Sequence, residues 1–166
     1  AGRDTTMRIV EPVTSFILAA VVTDQPYLMS ARTIAPSRIL LVPAALVREV
    51  VKDDLALMQA TMRELAHAYR DMVRALTDMK LRQSAERLGN LILRQDHRQG
   101  GRGQVTLKAE KRLLASLLWM TPENLSRAFA VLGQHGITVT GASVAITDRA
   151  ALEKFVRPDP VRDDLV

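Results

Sequence analysis

The chain has 166 residues, no cysteine and a net charge of +5; residues 80–136 hold ten Lys or Arg against four acids, leaving −1 for the remainder. That length supports one or two domains with real cores, and the missing thiols exclude a disulfide framework or a thiolate metal site within this chain. No secretory signal is recognisable and the longest apolar run, FILAAVV at 16–22, is far too short to span a bilayer, so a cytoplasmic location without membrane contact is expected.

In chain order, residues 7–43 predict short strands. MRIV, SFILAAVV, YLMSARTIA and RILLVP are rich in Val, Ile and Thr, and are punctuated by Glu11-Pro12, Asp24-Gln25-Pro26 and Ala35-Pro36-Ser37. Four or five strands cannot easily hide both faces of a sheet. With an opening AGRDTTMRIV that lacks an initiator Met, the chain is expected to start inside a larger β-domain.

PAALVREVVKDD (43–54) predicts a short helix with a stop, and residues 54–80 then predict one unbroken helix. Its apolar residues Leu55, Met58, Met62, Leu65, Tyr69, Met72, Leu76 and Met79 alternate spacings of three and four. That is a heptad seam, expected of a two-stranded coiled coil; a helix packed in its own domain shows a wider stripe of period nearer 3.6. The methionines make the seam soft and adjustable.

LRQSAERLGNLILRQ (81–95) predicts an amphipathic helix with Leu81, Ala85, Leu88, Leu91 and Ile92 on one face. DHRQGGRGQ (96–104) reads as a loop, VTL (105–107) as a short strand and KAEKRLLASLLW (108–119) as a helix. PENLSRAFAVLGQHG (122–136) is a second helix ended by Gly136. ITVTGASVAITD (137–148) alternates about Gly141-Ala142 as a β-hairpin, and RAALEKFV (149–156) is a last short helix.

Helix, short turn, helix and hairpin is the order of a winged helix-turn-helix. Thr121 can cap the second helix and Pro122 suits its first turn. Leu125 and Ala128 would face the crossing of the two helices. Glu123, Ser126 and Arg127 would share the opposite side, because i, i+3 and i+4 lie on one helical face. Arg can grip guanine, Glu can accept from a base amino group and Ser suits either edge, so the trio is expected to read bases in a major groove. Lys111, Arg112 and Thr121 are expected at phosphates. The competing reading makes Glu123 a favourable charge at a helix N-terminus, with Arg127 as its i, i+4 partner.

Other constellations carry less. His67, His97 and His135 are far apart and lack neighbours at metal spacing; a haem or metal role is conceivable only for His67, beside the seam, and a surface or interface histidine is the commoner outcome. Gly100-Gly101-Arg102-Gly103 is a flexible basic turn rather than a nucleotide fingerprint. No activated nucleophile with a base is visible, so an enzyme is not expected.

The sequence LKAEKRLLASLLWMTPENLSRAFAVLGQHGITVTGASVAITDRAALEKF (107–155) resembles, most strongly from 107 to 153, the DNA-binding domain of the CRP/FNR superfamily of bacterial transcription factors. The heptad helix is similar to that family's dimerisation helix, and residues 7–43 to the last strands of its β-roll sensor. The resemblance implies an α+β chain: a partial β-roll (cupin-like) effector domain at 1–50, a dimerisation helix at 51–82 and a winged helix-turn-helix at 83–166. It assigns operator contacts to Glu123, Ser126 and Arg127. It implies a homodimer on a near-palindrome of TTGAT-like half-sites, with double-stranded DNA and RNA polymerase as partners. Two positions depart from the family. Trp119 stands in the turn where the family usually has Gly. The Gly-Glu-Leu phosphate cradle is missing from SFILAAVVTDQPYLMSARTIA, and Tyr27-Leu28 replace its Arg-Ser pair. Cyclic AMP is therefore disfavoured, as is an iron–sulfur cluster, while haem stays open and the effector is unidentified. The rival to a dimeric transcription regulator is a coiled-coil adaptor whose winged-helix domain binds protein or RNA.

Overall fold

A computed structural model describes residues 5–161 and 163. Seven helices and three strands form among them: α1 (Leu18–Thr23), α2 (Ala44–Asp53), α3 (Leu55–Leu81), α4 (Ser84–Arg98), β1 (Gln104–Thr106), α5 (Lys111–Leu117), α6 (Pro122–Gly133), β2 (Ile137–Thr140), β3 (Ser143–Ile146) and α7 (Arg149–Val156). Val10–Met72 make one compact unit, and the other described residues make a second. No helix is long and apolar enough to cross a membrane among the described residues.

The strands expected over 7–43, and with them the partial β-roll, do not form among residues 5–43. A strand needs a ladder partner, and a few short runs supply none to one another here. Where helix-forming Leu18-Ala19-Ala20 allows local hydrogen bonds, α1 forms instead. Its C-terminus is held from α2: Arg48 Nη1 donates to the Val21 carbonyl at 3.0 Å and pairs with Asp24 at 2.9 Å. Leu28, Leu40 and Leu41 stay almost fully exposed.

The predicted stop between α2 and α3 is present: Asp54 leaves the helical region, and its carboxylate accepts from the Leu57 N–H at 2.9 Å. Along α3 the heptad residues lack partners. Leu55, Met62, Tyr69 and Met72 are 61–69% exposed, Leu76 and Met79 are also exposed, and Met58 and Leu65 are half-buried.

The second unit has a continuous core. Leu88, Ile92 and Leu93 of α4 meet Leu125, Ala128 and Leu132 of α6, Leu152 and Val156 of α7, and Val105 and Val144 of the sheet. Each large aliphatic side chain so buried contributes about 1.5–3 kcal/mol. Gly89 lets α7 approach α4, since a Cβ there would overlap a methyl of Val156. The antiparallel sheet has the order β1-β3-β2, with Val105 and Val139 both opposite Val144.

The helix predicted over 81–95 is shifted: Leu81 ends α3, and α4 runs to Arg98. The break is marked by polar geometry, with the Gln83 N–H donating to Glu86 Oε2 at 2.7 Å. Arg82, in the break, donates through Nη1 and Nη2 to Asp163 and through Nη1 to Asp78, all at 2.7 Å. Arg94 lies 3.4 Å from the same two carboxylates. Burial pushes the Asp163 carboxyl up, but the Arg82 bonds, the Asp159 N–H and the two guanidinium charges outweigh it and hold its pKa below the usual range. The Asp163 bonds correspondingly raise Arg82.

Candidate nucleic-acid interface

The first helix of the helix-turn-helix, α5, is only seven residues long and ends in the left-handed turn that closes many helices. The Trp119 N–H donates to the Ser116 carbonyl at 3.1 Å, and the Met120 N–H to the Ala115 carbonyl at 3.0 Å. Trp119 takes φ +57° to make this turn. The geometry that glycine adopts freely is therefore kept, with an indole in glycine's place. Arg87 secures it from α4, its Nε donating to the Leu118 carbonyl at 3.0 Å. Burial lowers the Arg87 pKa, as expected for a guanidinium that replaces water with carbonyls.

The Thr121 side chain caps α6 by accepting from the Asn124 N–H at 3.3 Å. Leu125, Ala128 and Leu132 are buried and Phe129 is half-buried. Glu123, Ser126 and Arg127 are all exposed. The Ser126 hydroxyl donates to the Pro122 carbonyl at 3.1 Å and keeps acceptor capacity outward. The Thr121 hydroxyl first, then its own backbone N–H and the charge of Arg127, lower the Glu123 pKa and keep it an acceptor. Among the described residues no ion pair or hydrogen bond engages the Arg127 guanidinium, which acts on Glu123 through its charge alone.

Lys111 and Arg112 are exposed in the first turn of α5. Two cations at the positive end of a helix dipole raise the local potential and favour an anion there. The wing, β2 and β3, turns at Gly141 (φ +63°) and carries no Lys or Arg between 137 and 148, so it offers hydroxyls and backbone rather than charge.

Of the cations between 80 and 136, Arg82 and Arg94 hold Asp78 and Asp163, and Arg87 holds backbone carbonyls. Nothing in the sequence separates these from surface arginines. Asp96, 1% exposed, is another such residue: it accepts from the Gly103 N–H at 2.7 Å and from Arg149, tying the glycine loop to α7. His135 stacks on Phe155 with ring centroids 4.1 Å apart, a packing role. No group of three metal-ligating side chains occurs among the described residues.

Residues 86–155 match the Crp-like helix-turn-helix domain family. No curated protein matches the chain. Among solved structures, FixK2 from Bradyrhizobium japonicum is similar at 20% identity and a TM-score of 0.59, over 68% of this chain and 58% of that one. A structure from Silicibacter pomeroyi DSS-3, described as a cAMP-binding regulatory protein, is similar at 27% identity and a TM-score of 0.56, over 84% and 62%. A structure from Eubacterium rectale, described as a regulator of the Crp/Fnr family, is similar at 18% identity and a TM-score of 0.56, over 71% and 54%. The chain spans less than two thirds of the length of each of these structures. Residues 86–155, with their two crossed helices and wing, therefore form a Crp-like helix-turn-helix domain.

Proposed function

We propose that the protein is a sequence-specific, DNA-binding transcription regulator that acts as a homodimer. The observation that carries this reading is the exposed trio Glu123, Ser126 and Arg127 on the capped first turns of α6, opposite the buried Leu125, Ala128 and Leu132. Arg127 grips a guanine edge, Glu123 selects an amino group beside it and Ser126 adds a hydroxyl. Lys111 and Arg112, with the α6 N-terminus at Thr121, hold phosphates on either side. The unpartnered seam of α3 pairs with its copy, which matches two recognition helices to a palindrome of TTGAT-like half-sites. RNA polymerase is the further partner, in the cytoplasm. An unidentified effector, with cyclic AMP disfavoured, acts through the part of the protein before α3.

The test is selection from random duplexes followed by titration at several salt concentrations. The reading predicts one selected palindrome and an affinity that falls steeply as salt rises. A coiled-coil adaptor for protein or RNA would enrich no palindrome and show no such slope.

A further inference from the structure

We propose that Trp119 is itself a DNA contact, its indole N–H donating to a backbone phosphate at the edge of the groove that α6 enters. This rests on the DNA-binding reading above and adds to it a residue outside the base-reading trio.

Trp119 holds φ +57°, a left-handed conformation that residues other than glycine rarely adopt. Strain of this kind persists where its surroundings impose it, and it concentrates at binding sites. Here the surroundings are the two carbonyls that close α5 and the Arg87 bond beside them, which fix the backbone whatever side chain it carries. The indole gains only part of the burial open to it, remaining 38% exposed. Its N–H has no acceptor among the described residues, and an indole only partly covered can take one from outside the fold.

Its place in the chain supplies the acceptor. Trp119 lies two residues before Thr121, the cap of α6, at the same end of the helix as Glu123. When the first turns of a helix enter a major groove, the residues leading into it lie beside the sugar–phosphate wall. An indole brings one directional donor, a flat apolar body for the sugar and no charge. That combination fixes how deeply α6 sits without reading sequence, so Trp119 is a positioning residue.

Trp119 is the only tryptophan of the chain, so its emission reports this position alone. The full chain is titrated with the selected duplex while tryptophan emission and the anisotropy of an end-labelled duplex are followed together. Emission is expected to change along the same curve as anisotropy. Trp119→Phe keeps a ring on the same backbone and removes the donor. Its thermal unfolding should match the wild type, and its affinity should fall about tenfold per half-site, the worth of one hydrogen bond to a charged group. The loss should be equal for all base variants, with the salt slope unchanged, because an uncharged donor releases no counterion. If anisotropy reports binding while emission stays constant and Trp119→Phe binds like the wild type, the contact is overturned and the DNA-binding reading stands. If no duplex binds by anisotropy, both are overturned.

Discussion

Gly136 follows α6 at φ +81°, and its carbonyl accepts from the Thr147 and Asp148 N–H groups at 2.8 and 3.3 Å. A Cβ there would fall on the backbone of Asp148. Gly136→Ala should therefore cost about 2–4 kcal/mol, read as a clear drop in the midpoint of thermal unfolding. Gly133 is the internal control. It lies within α6 with nothing near its missing Cβ, and Gly133→Ala should add about 0.5–1 kcal/mol. Asp163 supplies a pH test. Its folded pKa is depressed, so its contribution is present above the ordinary carboxylate range and is lost as pH falls through the lowered value. Wild-type stability should fall in acid below about pH 4, and Asp163→Asn should flatten part of that fall and lower stability at neutral pH. Gly136 was legible in the sequence because a glycine after a periodic helix signals a stop. Asp163 was not, because its partners lie 81 and 69 residues away and no local pattern marks such a pair.

The elements fall into two kinds. Those whose hydrogen bonds are local or close in sequence were readable: α3 from its heptads, the hairpin from Gly141-Ala142, and α6 from Thr121-Pro122 and the Leu125/Ala128 spacing. The runs of Val and Ile before α2 have the composition of strands, but strand formation depends on a partner that composition does not supply, and none forms over 5–43. The break between α3 and α4 was expected at 80/81 and lies at 82–83; neither Gly nor Pro marks its place, which Arg82 and the Gln83–Glu86 bond set instead. On α3, seam side chains such as Leu55, Met62, Tyr69 and Met72 lie open, and burying each against a second copy would contribute about 1.5–3 kcal/mol. Leu65→Asp combined with Met72→Asp should convert the dimer to monomers in sedimentation velocity. An unchanged dimer would mean that the seam serves another contact.

At the scale of the whole molecule, a basic segment carries the proposed binding surface while Arg82, Arg87 and Arg94 within it hold groups of the fold itself. The charge count thus overstates the cations available to DNA, and the placement of Lys111, Arg112 and Arg127 says more than the total of +5. The trio on α6 was legible as a face, since helical spacing fixes which residues emerge together. That Arg127 makes no hydrogen bond or ion pair among the described residues, and that Trp119 keeps a glycine-like turn, required the fold. Lys111→Ala should weaken binding to every sequence alike and lower the salt slope by about one per half-site, as expected for a phosphate contact.

Base reading by α6 is tested most directly by Arg127→Ala. Binding of wild type and variant is measured on the selected palindrome and on each single-base variant of one half-site. The account predicts a loss of about 1–3 kcal/mol per half-site, with preference relaxed at one base pair and kept at the others. A uniform loss with every base preference intact would contradict it, and would make α6 a positioning helix that reads no sequence.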